Sequence, residues 1–175
     1  MDKLFHLAPH STASDTTLAY LAGFFDGEGS VTVARVRRSI GDASYYLAIS
    51  ITQTSLPVLQ LYQMCFGPAI YSVKRPVGMA PTWVWRARQA KKGLFLSSLL
   101  PFVILKKSQF ELALHFLEAY RLSSSGPPYR LSQVARDMGE KYVVEFSKLN
   151  QNAFNTRGGG RRPGLIGGNH GVTTR

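Results

Sequence analysis

Leu18-Ala19-Tyr20-Leu21-Ala22-Gly23-Phe24-Phe25-Asp26-Gly27-Glu28-Gly29-Ser30 is an apolar run that stops abruptly in alternating carboxylates and glycines. Just before it, Ser14-Asp15-Thr16-Thr17 offers side-chain oxygens able to cap the free amides of a helix start. The glycines at its far end permit the backbone geometry that terminates a helix. One helix is therefore expected across this stretch, ending in Asp26-Gly27-Glu28-Gly29. Ala19, Ala22 and Gly23 are small and fall at helical spacing, so a second helix can approach closely, unless Gly23 serves only its own core. Asp26 and Glu28 lie where the helix macrodipole disfavours negative charge. They call for a compensating cation, either a hard divalent ion on carboxylate and carbonyl oxygens, Mg²⁺ above all, or a nearby arginine.

The sequence outward from this helix reads as β structure. Ser30 to Arg38 is rich in Val and Thr, and Gly41-Asp42 interrupts it. Tyr45 to Thr52 then alternates, with Tyr45, Leu47, Ile49 and Ile51 on one face and Ser44, Tyr46, Ala48, Ser50 and Thr52 on the other. One apolar and one polar face is the pattern of an antiparallel sheet covered on one side. Ser55 opens a helix through Cys65, with Pro57 tolerated in its first turn, and Gly67-Pro68 ends it. Strands are expected at about 69–75 and 82–88, the second with Trp83 and Trp85 opposed to Thr82, Val84, Arg86 and Arg88. Helices follow at about 90–99, 107–122 and 130–150. The order predicts an α+β fold of one domain over residues 14–152, between an irregular arm (1–13) and a glycine- and arginine-rich tail (153–175).

Composition sets the class of partner. The chain has 175 residues, 45% of them hydrophobic, enough for a real core, and carries a net charge of +11. A surplus of this size favours a polyanion, because neutralising phosphates releases counterions. Ribosomal and membrane-surface proteins are basic too, but the distribution is one-sided. Between 31 and 92 the basic residues are Arg35, Arg37, Arg38, Lys74, Arg75, Arg86, Arg88, Lys91 and Lys92, against the single acid Asp42. That asymmetry marks a binding face rather than a mixed, solvated surface. The lone Cys65 excludes an intramolecular disulfide and points to a reducing compartment. There is no zinc-type Cys/His cluster, no apolar run of transmembrane length and no signal-peptide pattern, so a soluble intracellular protein is expected, in a bacterial cytoplasm or an organelle.

Leu21-Ala22-Gly23-Phe24-Phe25-Asp26-Gly27-Glu28-Gly29 resembles the nine-residue signature of the LAGLIDADG homing endonucleases, with five positions identical and four conservatively replaced. The expected αββαββα order resembles that family's over residues 15 to about 122, and two further segments fall where the family has them. The resemblance implies a four-stranded antiparallel DNA-binding sheet, here with an additional C-terminal helix. It further implies a single-motif enzyme that works as a homodimer and uses Mg²⁺, or another divalent cation such as Mn²⁺, to make a staggered double-strand cut in a long pseudo-palindromic site. An intron-encoded origin goes with the family.

Carried over residue by residue, the resemblance assigns Glu28 and the Gly27 carbonyl to the metal, with Asp26 supporting the motif. Ile51-Thr52-Gln53-Thr54 is similar to the strand end that carries a solvent-organising Gln, here Gln53. Leu100-Pro101-Phe102-Val103-Ile104-Leu105-Lys106-Lys107 is similar to the turn that presents a catalytic lysine, Lys106 by register with Lys107 as the alternative. An ammonium there stabilises charge developing on a phosphate. One departure is Pro57, where some members carry an arginine. Ala19, Ala22 and Gly23 are the expected dimer contacts. The expected DNA contacts are Thr32, Arg38, Ser44, Tyr46, Ser50, Lys74, Thr82, Arg86 and Arg88, with Arg35, Arg37 and Arg75 toward phosphates or strand tips. Two competing readings share this fold and charge: a maturase that binds intron RNA, and a DNA-binding regulator that does not cleave.

Overall fold

The structure, a computed structural model, describes residues 13–36, 43–67, 70–123 and 133–156. Helix α1 (Asp15–Glu28) starts where the sequence places a cap: the Thr17 amide donates to Ser14 Oγ at 3.3 Å. It ends at Gly29, whose amide closes on the Phe25 carbonyl. A β-carbon at Gly29 would lie 2.5 Å from the Phe25 ring, so the chain leaves the helix through a space that admits only glycine. Strands β1 (Gly29–Val36) and β2 (Ser44–Gln53) follow, then α2 (Leu56–Phe66), β3 (Ile70–Val73) and β4 (Thr82–Arg86). After a 3₁₀ turn (Gln89–Lys91) come α3 (Lys92–Leu99), α4 (Lys107–Ser123) and α5 (Gln133–Thr156). This is an α+β fold of order αββαββα, followed by two further helices, α4 and α5.

The four strands form one antiparallel sheet in the order β1-β2-β4-β3. Its alternation follows the sequence pattern: Tyr45, Leu47, Ile49 and Ile51 are buried, while Tyr46 and Thr52 are exposed. The helices cover the apolar face. At the centre, Phe25 of α1 stands edge-on to Phe95 at 5.1 Å and to Phe110 at 5.4 Å, and Trp85 of β4 lies 5.2 Å from Tyr62 and 5.3 Å from Phe95. Tyr62 also donates its phenolic proton to the Leu21 carbonyl. Helices α1, α2, α3 and α4 and strand β4 thus meet in one aromatic core. Helix α5 packs against β1 and α4. There Tyr45 donates to Glu140 Oε1 at 2.7 Å, and Arg35 pairs with the same carboxylate at 3.2 Å.

Several boundaries differ from expectation. β3 stops at Val73 and β4 at Arg86, both short of 75 and 88. The second loss has a cause in the sheet: β4 pairs with β2 only from Ser50 to Gln53, and past Arg86 the chain turns into the 3₁₀ segment. Helix α5 continues to Thr156, past the expected domain limit at 152. The expected arm, apart from Ala13, and the tail beyond 156 lie outside the described residues. Among the described residues no helix is long and apolar enough to cross a membrane.

Candidate active site and nucleic-acid interface

The end of α1 is locked to the turn between α3 and α4. Asp26 is buried, and its carboxylate accepts three backbone amides from that turn. Ile104 N–H and Leu105 N–H donate to Oδ2 at 2.7 and 3.1 Å, and Lys106 N–H donates to Oδ1 at 2.9 Å. The side chains of Ile104 and Leu105 point outward, so the turn is held by its backbone. In return, Lys106 Nζ donates to the Asp26 main-chain carbonyl. α1 has no basic residue in its own last turn. Lys106 brings a cation there from another element, which answers the dipole at the helix end. Lys107, the alternative, is the exposed first residue of α4.

Glu28, next in the motif, is exposed, and among the described residues its carboxylate has no hydrogen bond or ion pair. Gly27 lies in the last helical turn, where carbonyls lack the usual partner four residues on. The pairing of Gly29 with Ile51 runs the end of β2 alongside this terminus, which brings Gln53 to the same side of the molecule. Gln53 Oε1 accepts the Thr54 amide at 3.0 Å. Glu28, Gly27 and Lys106 are therefore gathered around one helix end, although 78 positions separate Glu28 from Lys106, and Gln53 lies on β2 two residues past the strand partner of Gly29. Two oxygen donors, a carboxylate and a carbonyl, suit a hard divalent cation but do not enclose one. Among the described residues no group of three His, Cys, Asp or Glu side chains could hold a metal ion. Pro57, which stands where the resemblance would place an arginine, is exposed near the start of α2.

On the outer side of α1, Ala19, Gly23 and Gly27 are exposed at four-residue spacing, and nothing lies within 4 Å of a β-carbon built at Gly23 or Gly27. That face is open to another helix. Ala22 is a correction: it is fully buried in this chain's own core and unavailable to a partner. It falls four residues after Leu18 and four before Asp26, on the buried stripe of α1.

The open face of the sheet carries Thr32, Ser44, Tyr46, Ser50 and Arg86, with exposed Arg88 just beyond β4. Two expected contacts are corrected. Arg35 follows Val31 and Val33 onto the helix-packed side, where Glu140 holds it. Thr82 is buried, with its hydroxyl engaged between Arg75 Nε at 3.2 Å and the Ala80 carbonyl at 3.4 Å. That bond places Arg75 on the open face, and Lys74 follows β3 as an exposed residue. Arg37 and Arg38 lie outside the described residues. The open face also carries Tyr71 and Val73 of β3, both exposed and paired with Val84 and Thr82. Their strand had been expected from the sequence, but its alternation was too short to assign a face.

The sequence matches the family profile of a LAGLIDADG-like domain over residues 15–67. Among solved structures it is similar to the homing endonuclease I-CvuI in complex with a DNA target, at 19% identity and TM-score 0.60, over 82% of this chain and 95% of that one. An archaeal intron-encoded homing endonuclease complexed with DNA matches at 25% identity and TM-score 0.58, over 77% of this chain and 84% of that one. I-SmaMI bound to an uncleaved DNA target with calcium ions matches at 20% identity and TM-score 0.56, over 87% of this chain but only 53% of that one. No curated protein matches.

Proposed function

We propose that this protein is a site-specific homing endonuclease of the LAGLIDADG type. As a homodimer it makes a staggered double-strand cut in a long pseudo-palindromic DNA site, by phosphodiester hydrolysis that depends on a divalent cation, Mg²⁺ above all. The observation that carries this reading is the junction at the end of α1. One buried carboxylate, Asp26, and one lysine, Lys106, fix that helix end against the turn, and leave the Glu28 carboxylate exposed beside them. A supporting scaffold with a free acid at its tip is the arrangement expected of a reaction site and has no purpose in a purely structural helix end.

The roles follow from chemistry. Glu28 and the Gly27 carbonyl would hold the cation, and two chains must meet there because one supplies too few donors. The small face of Ala19, Gly23 and Gly27 suits a C2 contact that brings two copies of Glu28 together. When bound, the cation neutralises the scissile phosphate and favours ionisation of the attacking water. Lys106 presents its ammonium to charge developing on that phosphate. Gln53, with an amide of both donor and acceptor character, orders solvent at the cut. Two sites related by the dimer axis would each cut one strand. The open sheet face lies along the major groove, with Arg86 and Tyr46 as contacts and Arg75 and Arg88 toward phosphates.

The near-complete coverage of the I-CvuI chain, against about half of I-SmaMI, supports a unit with one copy of the motif per chain. The test is cleavage of a randomised duplex library in Mg²⁺, with Glu28→Gln alongside. Staggered products at one pseudo-palindrome, absent with Glu28→Gln, are expected. Tight binding without cutting, equal in both proteins, would instead make this a DNA-binding regulator.

A further inference from the structure

Among the described residues the first half of β2 pairs with β1 on one edge but has no strand on the other, because β4 joins β2 only from Ser50 onward. Carbonyls on that bare edge must find donors elsewhere. Ile49 O accepts the Ala87 amide at 3.1 Å. Leu47 O accepts from Lys92 Nζ. Lys92 opens α3, is only 6% exposed, and also donates to Gln89 Oε1 at 2.7 Å. Its ammonium stands 5.8 Å from the centre of the Tyr46 ring. It forms no ion pair among the described residues, and burial pulls its pKa below the usual lysine range. A neutral donor could cap Leu47 without that desolvation cost. The positive charge therefore calls for a second use.

Next to it a shallow hollow of about 210 Å³ opens on the recognition face, lined by Tyr46, Ala48, Ser50, Arg86, Ala87 and Lys92. The Arg86 and Lys92 cations can offer only donors, the Ser50 and Tyr46 hydroxyls can donate or accept, and no carboxylate lines the space. In the major groove guanine alone sets two acceptors, N7 and O6, side by side. Adenine replaces one of them with an amino donor, cytosine presents a donor, and thymine sets one acceptor beside a methyl group. We propose that Lys92, acting with Arg86, makes this hollow a reader of the acceptor edge of guanine, so that Lys92 is a specificity-determining residue; this rests on the DNA-recognition reading above.

The test compares sites selected from a randomised duplex library by the wild-type, Lys92→Met and Lys92→Arg chains, with Ca²⁺ in place of Mg²⁺. The wild type selects guanine at a symmetric pair of positions. Lys92→Met loses that preference by roughly tenfold while the rest of the site is unchanged, and Lys92→Arg retains it. A second readout replaces that guanine with 7-deazaguanine, which lacks the N7 acceptor. Binding falls roughly tenfold for the wild type and stays level for Lys92→Met. A lysine that only props the strand gives equal losses in both proteins, and that result overturns the proposal. An unchanged selection profile in Lys92→Met overturns it too. Should Lys92→Met fail to fold, Lys92→Gln takes its place, and a wild type indifferent to 7-deazaguanine at every position still refutes the idea. If no variant selects any sequence while all fold, the DNA-recognition reading itself fails, and this proposal with it.

Discussion

Replacing Asp26 with Asn separates support from catalysis. In the wild type one carboxylate oxygen takes two amides and the other takes one. Asn keeps one acceptor oxygen, which goes to the pair from Ile104 and Leu105. Its amide nitrogen then faces the Lys106 N–H, donor against donor. Two charge-assisted bonds become neutral ones, at about 1 kcal/mol each, and one amide loses its partner, at about 1–3 kcal/mol. The turn lies partly at the surface, so water recovers some of this. A net loss of about 2–4 kcal/mol is expected, within the 5–15 kcal/mol typical of a domain, so the protein still folds. Once the turn shifts, Lys106 loses its seat on the Asp26 carbonyl. Urea unfolding measures the first effect, and single-turnover cleavage of a selected duplex site measures the second. Cleavage should fall by about 10²-fold or more, the scale of one lost electrostatic contact in a reaction site, while affinity for the uncut duplex stays within a few-fold. Undiminished cleavage despite a measured loss of stability would refute the view that Asp26 acts through Lys106.

Three other perturbations test the frame around the site. Gly29→Ala drives a β-carbon into the buried Phe25 ring at 2.5 Å, and the strain should lower stability by about 1–3 kcal/mol in urea unfolding. Gly139→Ala meets the Tyr45 ring at 2.3 Å, so it should break the Tyr45–Glu140–Arg35 link and loosen α5, read as faster amide exchange in that helix while α1 keeps its protection. Burial raises the pKa of Tyr62 far above that of an ordinary phenol. A raised folded pKa means stability held below the unfolded value, near pH ~10, and lost as pH climbs beyond it. Tyr62→Phe, which removes the second donor to the Leu21 carbonyl beside its helical bond, should be about 0.5–1.5 kcal/mol less stable at pH 7, yet its urea midpoint should decline less steeply above pH ~10.

Much of the fold was legible because the relevant physics is local. Ser14 caps α1, the glycines end it, and the period-two alternation of residues 44–52 sets the faces of β2, all without reference to distant residues. The order of elements followed from such signals. Strand ends were less legible, since β4 stops where its partner stops, and pairing is a property of two segments. Arg35 shows the same limit. Its alternation with Val31 and Val33 puts it on the helix-packed side, but only the position of Glu140 on α5 gives an arginine there its partner.

The site divides along the same line. Glu28 was visible as an acid at a helix end, where the dipole makes it costly, and such costs are readable from sequence. The partner that relieves the cost was not. Lys106 arrives through a turn 80 positions from Asp26, and its register came only from likeness to other sequences. Lys92 counted in the basic set that marks a binding face but not among the named contacts, because nothing local warns that β2 leaves a bare carbonyl at Leu47. That omission is informative. A charge buried where a neutral residue would suffice is costly to folding, so the sites where sequence reasoning expects water and the structure supplies burial are where function should be sought first. Lys92 is the described residue that meets that criterion outside the junction of α1 with the turn.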